Sequence, residues 1–342
     1  MSDMATTTRA ALSRAFLARA GWADAARGFL AGDASNRSYD RLTGPQGRAV
    51  LMDAPPEKGE DVGEFLRIAR HLTALGLSAP KVLAADETHG FLLLEDLGDD
   101  LYARVLERDP ALENSLYTAA TDLLVALQRH PAPAGIKAYD TAAMAEAATL
   151  ATEWYRRAIT GDAGGGDELR AAVAAPLAAH AEAPPVIVLR DYHAENLLWL
   201  PEREGLARVG LLDFQNAELG QPGYDLVSLL QDARRDVDLA TEAAMVARFA
   251  AETGSDPAGF AAGYAALGAQ RALRILGVFA RLCLRDGKPG YVRMMPRVWG
   301  LLMRNLAHPA LAGLRAACEG LPDPTPEALA RITAQCGTIP KP

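Results

Sequence analysis

The pattern of apolar and polar positions divides the chain into a strand-rich first part and a helix-rich remainder. Short apolar or alternating runs bounded by Gly, Pro, Asn and Asp predict strands in the first part. The predicted strands cover residues 27–31, 38–43, 48–53, 81–85 and 91–94. Apolar residues at helical spacing predict one helix over 60–75 and an earlier amphipathic helix over 6–20.

Wide apolar faces at helical spacing predict helices through most of the remaining chain. They cover residues 111–129, 141–160, 167–182, 225–233, 240–253, 257–285 and 291–306, followed by a C-terminal pair. We therefore predict an α+β fold with two lobes. A small lobe over 1–97 holds a five-stranded antiparallel sheet and one packing helix, and a large, mainly helical lobe occupies 98–342.

The stretch from 186 to 213 interrupts the helices with three apolar runs, over 186–189, 197–200 and 209–212. Asp191 follows the first run, Asn196 precedes the second, and Asp213 ends the third. Such strand ends lie close together, and carboxylate and amide oxygens are ligands that Mg²⁺ accepts. Taken singly, the three are equally a turn residue, a loop cap and a helix cap. In this order, D-x-x-x-x-N followed by D-F is the phosphoryl-transfer arrangement of protein-kinase-like enzymes.

Two short polar segments in the first part are candidates for nucleotide binding. The loop before the second predicted strand offers backbone N–H groups to phosphates, with Ser35, Asn36, Arg37 and Ser38 at its end. A plain hairpin turn explains this loop equally well.

The second segment follows the fifth predicted strand, where a hinge is expected over about 95–98. The backbone groups of Glu95 and Leu97 would there face an adenine edge. The alternative is a turn that starts the next helix, with Asp99 as its cap.

Composition narrows the classes of partner. The 342 residues carry 35 basic and 43 acidic side chains, a net charge of −8, which disfavours nucleic acid and anionic membranes as partners. Three widely spaced cysteines (Cys283, Cys318, Cys336) without metal-site spacing favour a reducing compartment. No uncharged apolar run reaches transmembrane length. The arginine-bearing first helix fits a surface helix better than a transit peptide, so we expect a cytoplasmic protein.

Several longer motifs carry a resemblance that covers nearly the whole chain. They read GDASNRSYDRL (32–42), VLMDAPPEK (50–58), GFLLLEDLGDDLY (90–102), EWY (153–155), LRDYHAENLL (189–198), LLDFQNAELGQPGYDLVSLLQDAR (211–234) and RLCLRDGKPGY (281–291). The chain resembles the aminoglycoside phosphotransferase/choline kinase-like family, small-molecule kinases with a protein-kinase-like fold. Within this family, the sequence is most similar to bacterial sugar kinases of cell-wall recycling. Those enzymes phosphorylate the anomeric hydroxyl of N-acetylmuramate and N-acetylglucosamine.

The resemblance implies roles for the motif residues, with ATP and Mg²⁺ as cofactors. Asp191 is then the catalytic aspartate, and Asn196 and Asp213 hold Mg²⁺. The loop over 32–38 covers the ATP phosphates. Asp225 corresponds to the family's structural aspartate, which binds backbone amides.

Two positions depart from the family pattern. Leu189 stands where a histidine is usual, and Met52 lies near the usual phosphate-binding cation of the third strand. Lys58 or Arg37 is expected to compensate, with Glu64 as a possible ion partner.

The acceptor is expected to be a small-molecule amino sugar, bound by a chain that acts as a monomer. The residues proposed to meet it are Arg190, His193, Glu195, Trp154 and Arg281. An aminoglycoside or choline-type kinase is the alternative within enzymes. A nucleotide-binding pseudokinase is the alternative of another class, suggested by Met52 and Leu189.

Overall fold

A computed structural model describes residues 2–32 and 36–340, with side chains from Thr8 onward. By its internal contacts the chain divides into two compact units. The first unit comprises the described residues up to Leu112 together with Ala194–Ala217, and the second comprises Glu113–His193 and the chain from Glu218 onward. The segment with Asn196 and Asp213 therefore belongs to the first unit. The lobe boundary near residue 97 stays a prediction.

The first unit contains the predicted five-stranded antiparallel sheet. Its strands are β1 (Ala26–Gly32), β2 (Ser38–Gly44), β3 (Gly47–Asp53), β4 (Val82–Asp86) and β5 (Phe91–Glu95). Their order across the sheet is β1-β2-β3-β5-β4. The central strands β3 and β5 are the most apolar and the most buried, and Leu51 pairs directly with Leu93. The sheet confirms the strand predictions because each strand coincides with a predicted run.

The first unit also contains α1 (Ser2–Arg19), which packs against this sheet, and α2 (Val62–Ala74). Phe16 of α1 stacks on Phe91 of β5 with ring centroids 5.8 Å apart. The α2 helix begins at Asp61, whose side chain accepts a hydrogen bond from the backbone N–H of Gly63 (2.7 Å). A third helix of the first unit, α3 (Tyr102–Arg108), was not predicted. Its 7 residues are too few to show a clear helical period.

Four short strands follow α3 along the chain: β6 (Val186–Val188), β7 (Leu197–Trp199), β8 (Val209–Leu211) and β9 (Glu218–Gly220). The three apolar runs of the sequence do form strands, but they belong to two separate sheets. The β7 strand pairs with β8 in the first unit, whereas β6 pairs with the unpredicted β9 in the second. The three-residue β9 has no alternating pattern of its own, so only its pairing identifies it.

The second unit is otherwise helical. Its α-helices are α4 (Glu113–Gln128), α5 (Thr141–Ala148), α6 (Arg157–Thr160), α7 (Gly166–His180), α8 (Tyr224–Leu230), α9 (Leu239–Thr253), α10 (Pro257–Leu284), α11 (Met295–Leu306), α12 (Ala312–Cys318) and α13 (Pro326–Ala334). The predicted helix over 141–160 is interrupted by a π-helix, Ala151–Arg156. At this point α10 approaches closely, since a Cβ on Gly277 would overlap the backbone carbonyl of Leu150.

No helix in the described part of the chain is long and apolar enough to cross a membrane. Cys283, Cys318 and Cys336 are all free thiols.

Candidate active site

A cavity of about 470 Å³ lies within the first unit and contains both predicted hinge residues. Apolar side chains form much of its wall: Leu30, Val50, Pro80, Leu94, Leu101, Leu198 and Leu212. Glu95, Leu97 and Glu195 line it as well. Apolar walls with a few polar groups at one edge suit a planar heteroaromatic ring. Glu195, expected at the acceptor, therefore lies with the hinge residues.

Ion pairs that the sequence analysis missed fix the segment 95–98, which was predicted to be the hinge. The side chain of Asp96 is 4% exposed and forms ion pairs with Arg41 (2.8 Å) and Arg48 (3.1 Å). Arg41 also donates to Asp99 (2.9 Å), and this hydrogen bond lowers the pKa of Asp99. The ion pairs join the hinge to β2 and β3. No local pattern marks them because the partners lie far apart in sequence.

The side chain of Glu95 is part of a second network behind the hinge. Its carboxylate accepts hydrogen bonds from Arg203 Nη2 (2.7 Å) and from the backbone N–H of Lys81 (3.2 Å). Arg203 also donates to Ser78 Oγ (2.7 Å). The Glu95 carboxylate is thus taken up by structural contacts.

The β7–β8 hairpin brings the predicted metal ligands together. Leu197 pairs with Leu211, and the N–H of Leu212 donates to the carbonyl of Asn196 (2.9 Å). Asn196 Nδ2 consequently lies 3.5 Å from Asp213 Oδ2. Both side chains line the cavity, and Asp213 has a φ of 55°.

This pair fits Mg²⁺ better than a metal that needs a full protein cage. In the described residues no group of three or more His, Cys, Asp or Glu side chains forms a metal-binding cluster. Mg²⁺ commonly takes only one or two protein ligands and completes its shell with water and substrate phosphates. The amide oxygen of Asn196 and the carboxylate of Asp213 would hold it.

Two further side chains reach the Asp213 carboxylate. Gln215 Nε2 donates to Asp213 Oδ1 (2.5 Å), and Arg37 Nη2 lies 3.8 Å from the same oxygen. Arg37 also pairs with Glu60 (3.5 Å), whereas Glu64, the predicted partner, forms an ion pair within its own helix (3.2 Å). Gln215 was missed by the sequence analysis. Its signal is a polar residue two positions after the aspartate.

The remaining phosphate-loop residues lie in different settings. Ser35 is outside the described residues. Asn36 donates through its backbone to Glu60 (2.9 Å) and through its side chain to the carbonyl of Lys58 (3.2 Å). Ser38 begins β2. Met52 is buried in β3 at 1% exposure, and Arg37 is a cation that lies beside Asp213. Compensation by Lys58 or Arg37 stays a prediction.

Asp191 follows a tight turn of the second unit that Asp225 stabilises. The turn is centred at Arg190, whose φ is 71°, and the N–H of Asp191 donates to the carbonyl of Leu189 (2.8 Å). The Asp225 carboxylate accepts from the backbone N–H of Leu189 (2.6 Å) and of Arg190 (2.9 Å). The predicted contact of Asp225 with backbone amides is confirmed. Its complete burial raises its pKa to about 7, against the lowering effect of these two hydrogen bonds.

Two residues expected at the acceptor, Arg190 and His193, have protein partners, and their contact with the acceptor stays a prediction. Arg190 forms an ion pair with Glu218, and its guanidinium lies 3.8 Å from the ring centroid of Tyr139. His193 is buried, and its Nε2 lies 3.2 Å from Arg234 Nη1. Burial and the Arg234 charge hold the pKa of His193 well below its ordinary value. A neutral His193 therefore accepts a hydrogen bond from Arg234.

Trp154 and Arg281 are the other two residues that were expected to contact the acceptor. Both are half-buried in the second unit. Trp154 belongs to the π-helix and Arg281 to α10, two segments that pack against each other.

The sequence of the chain matches a protein family and several known proteins. Residues 28–267 match the phosphotransferase enzyme family. The chain is 43% identical to the N-acetylmuramate/N-acetylglucosamine kinase of Caulobacter vibrioides, over 91% of this chain and 96% of that one. It is 35% identical to the kinase of the same name from Pseudomonas aeruginosa, over 85% and 87%. These matches confirm the resemblance that the motifs carry.

A solved structure shares the fold. A choline/ethanolamine kinase family protein from Mesorhizobium loti superposes with a TM-score of 0.59 and 18% identity, covering 95% of this chain and 99% of that one. The predicted fold class is confirmed.

Proposed function

We propose, for a chain that belongs to the phosphotransferase enzyme family, that it phosphorylates the anomeric hydroxyl of N-acetylmuramate and N-acetylglucosamine with ATP and Mg²⁺. The observation that carries the kinase assignment is the Asn196–Asp213 pair at the wall of an apolar cavity. The names of the two relatives support the acceptor. The reaction would serve cell-wall recycling.

The first unit supplies the nucleotide and metal ligands in this proposal. The adenine ring would bind in the cavity that Glu95 and Leu97 line, and Asn196 and Asp213 would hold Mg²⁺. The bound metal would neutralise charge on the phosphates. Arg37 adds a positive charge beside Asp213, which favours phosphate binding without a lysine on β3.

The second unit supplies the base. Asp191 accepts a hydrogen bond from the attacking hydroxyl and takes its proton. An anomeric hydroxyl is more acidic than an ordinary alcohol, so the demand on the carboxylate is modest. The strained turn before Asp191, held by Asp225, fixes the direction of that carboxylate.

The charges near the base disfavour a cationic acceptor. Arg271 and Arg274 both interact electrostatically with Asp191. An aminoglycoside or choline would bring further positive charge to two arginines. A neutral or acidic sugar meets no such repulsion.

The acceptor is tested with a panel of N-acetylmuramate, N-acetylglucosamine, kanamycin and choline, with ³¹P NMR of the product. We expect acid-labile sugar 1-phosphates, inert methyl glycosides and reactive 6-deoxy sugars. A 6-phosphate product keeps the kinase and ends the anomeric assignment. Consumption of kanamycin with free amino sugars ignored would overturn the proposal.

The base is tested by Asp191→Asn. Turnover should fall by roughly 10²–10⁴ while nucleotide affinity is kept, because the nucleotide ligands are other residues. Asp122→Asn is the matched control, since Asp122 bonds Arg248 at the surface of the same unit (2.5 Å). Unchanged turnover in the Asp191 variant would exclude this aspartate as the base.

A further inference from the structure

One face of α10 carries a row of partly exposed arginines, whereas most of the rest of the helix is apolar. From Ala262 to its end, every residue of α10 is buried except Arg274, Val278, Arg281 and Leu282. Arg274, Val278, Arg281 and the following Arg285 recur every three or four residues, so they share one face. We call Arg274, Arg281 and Arg285 the arginine row. The arginine row therefore lies on the partly exposed face of α10.

The N-terminal end of the arginine row interacts electrostatically with Asp191, the proposed base. Burial lowers the pKa of Arg271, one turn before the row, and the Asp191 carboxylate opposes that effect. Burial also disfavours the charge of Arg274, yet the electrostatic effects of Tyr224, Tyr139 and Asp191 outweigh it and raise its pKa. The N-terminal end of the row therefore lies within electrostatic reach of the base.

Arg281, in the middle of the row, lacks a partner among the described residues. It forms no ion pair or hydrogen bond there, and its Nε is buried without an acceptor. Burial lowers its pKa, and the neighbouring Arg285 adds to the effect. Arg285 is satisfied differently, by an ion pair with Asp286 (3.0 Å). Arg285 and Arg274 disfavour the charge of Arg281, whereas Asp286 and Glu153 favour it without forming an ion pair with it. A half-buried cation that forms no ion pair is stabilised by a bound anion.

The π-helix lies against α10 at this level. Gly277 permits the contact because any Cβ there would overlap Leu150. Glu153 of the π-helix acts electrostatically on Arg281, but its carboxylate accepts from Thr149 Oγ1 (3.0 Å). Trp154, half-buried on the same segment, offers a ring to a sugar. π-helical turns occur frequently at functional sites.

The spacing suits a hexose. Arg274 and Arg281 are separated by about 10 Å along the helix axis. Arg274 interacts electrostatically with Asp191, so a sugar whose C1 hydroxyl meets Asp191 would have Arg281 about two helical turns further along the same face of α10. Arginine binds a carboxylate through two parallel N–H groups, which gives orientation as well as charge recognition.

We propose that Arg281 binds the carboxylate of N-acetylmuramate and so determines preference for this acid over neutral N-acetylglucosamine. The inference rests on the proposed function and names the residue that separates its two acceptors. N-acetylglucosamine enters the same site without this contact.

The test compares kcat/KM of the wild type and Arg281→Gln for both sugars. The value for N-acetylmuramate should fall about 10- to 100-fold, as expected for a lost charge-assisted bond, and that for N-acetylglucosamine should change little. Arg281→Lys should recover part of the loss, since it restores charge but not the two-pronged geometry. Arg248→Gln, an equal change of charge at a surface ion pair, should leave both values unchanged.

A second measurement uses the substrate rather than the protein. The methyl ester of N-acetylmuramate lacks the negative charge, so the wild type and Arg281→Gln should process it equally. A ratio of the two kcat/KM values that is the same in Arg281→Gln as in the wild type would overturn the role of Arg281. A wild type that phosphorylates neither sugar would instead end the proposed function. The thermal unfolding midpoint shows whether each variant is folded.

Discussion

Asp225→Asn should lower the catalytic activity without lowering the stability of the fold at alkaline pH. In the wild type each carboxylate oxygen of Asp225 accepts one backbone N–H, from Leu189 (2.6 Å) and Arg190 (2.9 Å). The amide of asparagine has one acceptor oxygen and an NH₂ group that faces the second N–H. One buried donor then loses its partner, at a cost of about 1–3 kcal/mol within the turn. The φ of 71° at Arg190 is no longer fully held.

A displaced turn moves Asp191. A shift of about 1 Å at a reacting group lowers turnover by about 10²-fold, so we expect kcat to fall by that factor. Nucleotide affinity should stay unchanged because the cavity residues belong to the first unit. A protonated Asp225 has the same single acceptor as asparagine. Wild-type kcat should therefore rise through pH 7, where Asp225 ionises, and the variant should lack this step.

The effect on the free energy of unfolding depends on pH, and above pH 7 the removal of a buried charge offsets the cost of the lost hydrogen bond. Burial raises the pKa of Asp225 to about 7 from an ordinary 3.8, so the folded chain holds a proton that the unfolded chain has lost between these values. The wild type thus gains stability from this group as pH falls from 7 toward 4, and loses it as pH rises. The full difference is about 4 kcal/mol at about 1.4 kcal/mol per pH unit. At pH 8.5 the asparagine variant should be no less stable than the wild type.

Urea unfolding and steady-state kinetics from pH 5 to pH 8.5 measure both effects. Asp122→Asn is the control, because Asp122 is partly exposed and should show neither the kinetic loss nor the slope. A kcat in the Asp225 variant equal to that of the wild type would show that the two backbone hydrogen bonds of Asp225 are dispensable for turnover. A difference in free energy of unfolding between the wild type and Asp225→Asn that does not vary with pH would refute the raised pKa of Asp225.

Three further predictions concern other parts of the molecule. Asp213→Ala should weaken Mg²⁺-dependent ADP binding in calorimetric titrations, and a wild type indifferent to Mg²⁺ would contradict the metal site. In His193→Gln the free energy of unfolding should fall less steeply below pH 6.5, by up to about 1.4 kcal/mol per pH unit. The reason is that only the unfolded chain protonates this histidine there. The same dependence on pH in urea unfolding of both proteins would count against this. Gly90→Ala should cost about 3 kcal/mol or more in urea unfolding, since its φ is 70° and its Cβ would overlap the carbonyl oxygen of Ala54. Gly76→Ala, equally left-handed but unobstructed, should cost about 1–2 kcal/mol, and equal losses would exclude the overlap as the cause.

Local sequence was sufficient for the elements and the central motif. Apolar runs bounded by turn residues predicted the five-stranded sheet, because both the run and the turn residues that end it are local features of the sequence. The spacing of Asn196 and Asp213 around a hairpin predicted their approach, because hairpin register converts sequence separation directly into distance. Asp225 was identified by resemblance alone, and its amide contacts agree with that role.

Tertiary structure decided which polar side chains are available. Arg190 and Arg281 look alike in sequence, yet Arg190 is paired with Glu218 and Arg281 has no partner in the described part of the chain. The pairing of β6 with β9, the π-helix opposite Gly277 and the ion pairs of Asp96 also depend on residues far apart along the chain. Local patterns encode the burial of a residue's own segment. Which charge a distant segment neutralises is fixed only when the chain has folded.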